Sequence, residues 1–122
     1  MKPTRQLGEL KKSDAVKIAT GKALRLSELI EYQADAVVSR EVLKNKAGTL
    51  TVFAFAAGQG LSEHTAPFDA VVEVLDGEAE ITVGGRKAVA RAGETVIMPA
   101  NVPHALRAGK RFKMLLIMIK GS

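Results

Sequence analysis

The chain contains no cysteine. That removes a disulfide framework, a thiolate metal site and a thiol nucleophile together. Aromatic residues are also scarce: no tryptophan, one tyrosine (Tyr32) and four phenylalanines (Phe53, Phe55, Phe68 and Phe112). Proteins that read single strands of nucleic acid need stacking rings on a basic surface, and this composition does not supply them. Long apolar runs are missing too. Met114–Ile119 is far short of the ~20 residues that span a bilayer, and residues 1–21 hold no continuous apolar core of the kind a secretory leader needs. Neither nucleic acid nor membrane is therefore expected as a partner, and the expected location is cytoplasmic. Heptads, tandem repeats and long amphipathic helices are absent as well.

What is present suits one small globular domain. The 122 residues, 47% hydrophobic and 25% charged, allow one hydrophobic core and argue against global disorder. The formal net charge of +5 is unevenly placed. Residues 1–22 hold Lys2, Arg5, Lys11, Lys12, Lys17 and Lys22 against Glu9 and Asp14, a surplus of +4. Two units follow: a basic N-terminal arm, 1–22, and a nearly neutral body, 23–122. The arm reads as a solvated tail, with a weak contact to an acidic partner as the other reading.

The arm's pattern gives one short helix, Asp14–Thr20, capped by Ser13 and ended by Gly21. A short strand, Ala23–Leu26, and a helical turn capped by Ser27 come next. From Ala36 the grammar changes to short strands separated by turn residues. Val37–Leu43, Thr49–Ala56, Leu61–Ala66 and Asp69–Leu75 read as strands, and Asp76-Gly77 reads as a turn. Glu78–Val83 alternates charged or hydroxyl residues with apolar ones, the pattern of a strand with one wet face. Gly84-Gly85 is a two-residue hairpin connection that needs positive φ. Arg86–Arg91, Glu94–Met98, His104–Ala108 and Arg111–Ile119 complete the set, with Pro99–Pro103 a constrained loop. About nine short strands predict an all-β sandwich or barrel. The last strand is apolar on both faces: Phe112, Met114, Leu116 and Met118 on one, Leu115, Ile117 and Ile119 on the other. A strand apolar on both faces is buried on both. In one thin barrel the second face lacks a partner, so a homodimer is expected.

Two stretches carry a resemblance. Gly58, His64, positions 66 and 70, and Gly77 follow the spacing glycine–x5–His–x–His–x3–Glu–x6–glycine. Gly93, Pro99, Asn101 and His104 follow glycine–x5–Pro–x–glycine–x2–His–x3–Asn. These are the two motifs of the cupins, and residues 23–120 resemble the small stand-alone members of that family. The resemblance implies a jelly-roll barrel with a metal site built from three histidines and a carboxylate. Such a donor set suits manganese, iron, nickel, copper or zinc. The spacing has a physical sense of its own, because residues i and i+2 of a strand share a face and aim two imidazoles the same way.

The sequence departs from that pattern at the ligand positions. The second histidine slot is Ala66, the glutamate slot is Ala70 and the final asparagine slot is Ala108. His64 and His104, the only histidines of the chain, are the two ligands that remain, a partial metal site for zinc, nickel, iron or manganese. Asp69 becomes a third ligand only if a bulge at Pro67-Phe68 turns it inward. Asn101 stands in a glycine slot, where asparagine tolerates positive φ. The expected site is a pocket at the barrel mouth lined by His64, His104, Ala66, Ala70 and Leu106, holding a small-molecule ligand. Three functions compete. The first is a small-molecule binding or sensing protein with a depleted metal site. The second is a metal-dependent enzyme of the oxygenase or isomerase class, or one using a histidine near neutrality as acid or base without metal. The third is a structural dimer with an idle pocket.

Overall fold

The computed structural model describes residues 9–13 and 17–121. Nine strands occur among them: β1 Glu9–Lys12, β2 Ala36–Asn45, β3 Gly48–Phe55, β4 Gly60–His64, β5 Asp69–Val83, β6 Arg86–Arg91, β7 Thr95–Met98, β8 His104–Arg107 and β9 Phe112–Ile119. The only helical element described is the 3-10 turn Leu26–Glu28. No helix among the described residues is long and apolar enough to cross a membrane.

The all-β expectation is borne out, with informative differences. Asp76-Gly77 is not a turn. It lies inside β5, which runs unbroken for 15 residues. The first half of β5 pairs with β9 and β7, and the second half with β6 and β8. A bulge between Val74 and Asp76 bends the strand where it leaves one layer for the other. Gly77 has φ +76°, and a Cβ there would collide with the Arg111 carbonyl. The dipeptide thus encodes the positive φ of a bend rather than a chain reversal. Gly84-Gly85 does form the expected hairpin, with φ of +57° and +80°. Its wet face is laced by Arg91–Glu78 and Lys87–Glu80 ion pairs, each at 3.0 Å.

The N-terminal half also differs. Ala23–Arg25 is not a strand. The turn that follows is capped by Arg25 without a side-chain hydrogen bond, and Ser27 lies inside it. Of the expected helix over Asp14–Thr20, residues 17–20 are not helical, and 14–16 lie outside the described residues. The arm instead contributes β1, an edge strand that pairs parallel with β2, Leu10 opposite Val37 and Lys12 opposite Ser39.

One layer therefore reads β1-β2-β3-β9-β5-β7 and the other β6-β5-β8-β4, joined through β5 into a single curled sheet. The core lies between them. Val37, Phe53, Phe55, Val72, Val74, Ile81, Phe112 and Met114 form its largest part. The Phe55 and Phe112 rings stack 4.4 Å apart, and Phe53 lies 6.0 Å from Phe55.

The second face of β9 is partly covered by the chain itself. Leu115 and Ile117 join a separate cluster with Ile30, Val38, Val52 and Ala54, over which Leu26, Leu29 and Tyr32 pack. Hydrogen bonds pin that cover. Lys113 donates to the Ser27 carbonyl at 2.7 Å, Arg40 to the Leu29 carbonyl at 2.9 Å, and Tyr32 to the Asp76 carboxylate at 2.5 Å. Burial, reinforced by the bond to Asp76, pushes the Tyr32 phenol well above its usual range. Part of the outer face of β9, expected to need a second copy, is thus covered within the chain. Beyond this cover, Ile97 and Ile119 remain 65% and 55% exposed.

Candidate functional site

Strands β4 and β8 run antiparallel, with Leu61 opposite Leu106 and His64 opposite His104. A bulge between Leu61 and His64 sets that register. His104 also faces Val83 of β5 on its other side. Flanked on both edges, His104 is buried at 5% exposure, while His64 is half-buried.

The loop before His104 is fixed at three points. Asn101 adopts φ +66° in the motif's glycine slot, and its N–H donates to the Ala66 carbonyl at 2.8 Å. The Ala100 N–H donates to the Asp69 carboxylate at 2.9 Å. The Gly84 N–H donates to the Pro103 carbonyl at 2.8 Å. This loop holds the backbone that delivers His104 to His64.

The two imidazoles share one local device. His64 Nδ1 lies 2.8 Å from the Ser62 carbonyl and His104 Nδ1 lies 3.1 Å from the Val102 carbonyl, each two residues upstream. A carbonyl oxygen only accepts, so each Nδ1 carries the hydrogen. A neutral ring in that tautomer presents a lone pair at Nε2. The two Nε2 atoms meet at 3.1 Å, with the rings nearly edge to face and their centroids 4.3 Å apart. Burial holds His104 below the ordinary histidine range; the neighbouring His64 adds to that, and the Val102 carbonyl opposes it. A depressed His104 favours the neutral ring at neutral pH. With both Nδ1 atoms facing carbonyls, the Nε2–Nε2 contact at 3.1 Å has room for one hydrogen, supplied by one of the two rings or by the donor of a ligand.

The other expected lining residues are arranged differently. Leu106, two positions along from His104, is 4% exposed and belongs to the core. Ala70 is 3% exposed, faces Met98 across the strand pair and packs in the same cluster. Ala66 is half-buried and supplies the carbonyl that holds Asn101. Asp69 is exposed and occupied with Ala100, so it does not turn toward the histidines. Glu63 is exposed. The backbone carbonyls of Ser62 and Val102, which fix the tautomers, are the participants that the sequence reading missed. The shared i−2 relation to the two histidines was their only signal.

A metal ion at this site would need more donors than these residues provide. Protein metal sites of this kind have at least three side-chain ligands. Among the described residues no group of three His, Cys, Asp or Glu side chains could hold an ion. Two imidazoles alone do not fit a resident divalent metal.

The family model of the cupin domain matches residues 51–120. A conserved protein of unknown function from Streptococcus pyogenes is 35% identical, with 90% of this chain and 96% of that chain covered and a TM-score of 0.82. A cupin 2 conserved barrel domain protein from Leptotrichia buccalis is 40% identical over 80% of this chain and 47% of that chain, at a TM-score of 0.77. A cupin superfamily protein from Desulfitobacterium hafniense is 29% identical over 88% of this chain and 98% of that chain, at a TM-score of 0.79. No curated protein matches the chain.

Proposed function

Since the chain belongs to the cupin family, we propose that it is a small-molecule binding or sensing protein whose site is the His64–His104 pair. The observation that carries this reading is the convergence of two Nε2 atoms at 3.1 Å while both Nδ1 atoms face carbonyls. Such a pair is an acceptor clamp. It suits a ligand that offers one N–H or O–H to the rings. The depressed His104 supports the reading, because a ring that resists protonation stays an acceptor. A metal-dependent oxygenase or isomerase would need a third ligand that these residues do not provide.

The test is a thermal-shift screen of small amines, alcohols and carboxylic acids against the purified protein. A stabilising hit lost in both His64→Ala and His104→Ala is the expected result. A broad screen without a hit, or a hit indifferent to both substitutions, removes the reading and leaves an idle pocket.

We also propose that the chain works as a homodimer. Leu50, Ile117, Val71 and Ile97 stand directly opposite one another on β3, β9, β5 and β7. Opposed residues share a face, so they form an uncharged apolar row across four strands. The internal cover protects its Leu50 and Ile117 end, while Ile97 stays largely exposed. A second copy related by a two-fold axis would lay the same row against this one.

A further inference from the structure

On the reading of His64 and His104 as a clamp, we propose that their ligand is a short hydroxycarboxylic acid, with its hydroxyl on the rings and its carboxylate on Arg86. Strand β6 carries three basic residues, Arg86, Lys87 and Arg91. Two of them are spent on the wet face, where Lys87 pairs with Glu80 and Arg91 with Glu78, each at 3.0 Å. Arg86 alternates with Lys87 and so stands on the other side. There it is in line with Ala88 and Ala90, and Ala90 is buried in the core. Arg86 is thus the one charge that β6 carries on its core-facing side. Among the described residues it makes no ion pair.

The register ties this charge to the histidines. Arg86 stands opposite Val83, Val83 opposite His104, and His104 opposite His64. Opposed residues share a face, so one row runs Arg86, Val83, His104, His64 across β6, β5, β8 and β4. Two strand spacings, about 10 Å, separate the backbones of Arg86 and His104. The Gly84 N–H donates to the Pro103 carbonyl at 2.8 Å, which fixes the hairpin that carries Arg86 to the loop that delivers His104. Charge and imidazoles therefore sit on one frame. A guanidinium offers a fork matched to a carboxylate, and the rings accept one hydrogen. Half-buried Val83 lies between the two and meets carbon. An ammonium in place of the hydroxyl would want a carboxylate beside the rings. Asp69 is occupied with the Ala100 N–H, and among the described residues no acid bonds to either imidazole. A hydroxyl needs none, so a hydroxy acid fits better than an amino acid.

Proton NMR of the full chain at constant pH tests the proposal. The chain has two histidines, so its imidazole signals report this site alone. The titrants are glycolate, 3-hydroxypropanoate and 4-hydroxybutanoate, each beside the alcohol, the plain carboxylic acid and the amino acid of its length. One hydroxy acid should move the signals of both histidines and bind at least tenfold more tightly than its three counterparts. Arg86→Gln should bring that hydroxy acid down to the level of its alcohol, and Arg86→Lys should fall between. Arg86 is exposed, and an unchanged far-ultraviolet circular dichroism spectrum would show that both variants are folded. A hydroxy acid that binds at the histidines as tightly in Arg86→Gln as in the parent overturns the proposal and leaves the clamp standing. So does an alcohol or amino acid that binds there as tightly as the hydroxy acid. Histidine signals that no titrant moves overturn the proposal and the clamp together.

Discussion

Replacing Gly77 by alanine tests the bend on which both layers depend. Gly77 sits at φ +76°, opposite Phe112, where β5 leaves one layer for the other. An L-residue in that conformation costs roughly 1–2 kcal/mol. The added methyl would also collide with the Arg111 carbonyl oxygen. That atom is backbone, so relief requires β5 to move away from the start of β9. Overpacking of this kind adds about 1–3 kcal/mol. Reduced freedom of the unfolded chain returns about 0.4–1 kcal/mol. The net loss is therefore roughly 2–4 kcal/mol, or a Tm lowered by about 10 °C for a domain of this length. Gly85→Ala is the control. Gly85 has a similar φ, +80°, but nothing lies within 4 Å of a Cβ built there. It should lose only the conformational part, about 1 kcal/mol. Urea unfolding followed by circular dichroism gives both values. Equal losses in the two variants would refute the collision, and a Gly77→Ala protein as stable as the parent would refute the account of the bend.

Four further outcomes are expected. Stability should fall as pH drops below about 6.5, the ordinary histidine value: the unfolded chain takes up a proton there while buried His104 resists it, so unfolding binds protons and stability rises with pH; urea midpoints from pH 5 to 8 should show a shallower slope in His104→Gln. Ile97→Asp should convert a dimer to a monomer in sedimentation equilibrium, with an unchanged far-ultraviolet circular dichroism spectrum, because Ile97 is 65% exposed in the single chain; a parent protein that is already monomeric removes the dimer. Elemental analysis after dialysis should find well under one equivalent of transition metal per chain, and a stoichiometric metal that disappears in His64→Ala would restore the enzyme reading. Deleting residues 1–20 should lower the Tm by only a few degrees, since β1 is an edge strand and Leu10 is 42% exposed; a deletion that fails to fold would make the arm an integral layer.

The fold was legible wherever a local rule has one outcome. The glycine pair at 84–85 between two alternating stretches could only be a hairpin, and it is one. Asp76-Gly77 misled because the same positive φ serves a tight turn and a bulged bend. Only the partner strands, remote in sequence, decide between them. β1 was invisible because Glu-Leu-Lys-Lys has no alternation, and its pairing rests on the edge that β2 leaves open. The cover over Leu115 and Ile117 was hidden for a related reason. Leu26, Leu29, Ile30 and Tyr32 are too few to announce a face, and Lys113 and Arg40 fix them from far along the chain. At the site, the family spacing picked out His64 and His104, which the structure brings together. The tautomers were beyond reach, because they depend on the carbonyls of Ser62 and Val102. Ala70 read as space left by a missing ligand, yet Met98 and the phenylalanine core close around it.

The place of β9 has a consequence for how the protein is made. Phe112–Ile119 is the last of the described strands but lies in the middle of its layer, hydrogen-bonded to β3 on one side and β5 on the other. During synthesis β3 and β5 are complete while the strand that joins them is still on the ribosome. Until it arrives, each shows a bare apolar edge, the kind of surface that recruits the wrong strand. Closure must also span the long stretch between Phe55 and Phe112, which slows it. The nascent chain therefore passes through an interval in which its centre is open and adhesive. A trigger-type chaperone, or crowding by neighbouring nascent copies, would act on yield during that interval while leaving the stability of the finished barrel unchanged.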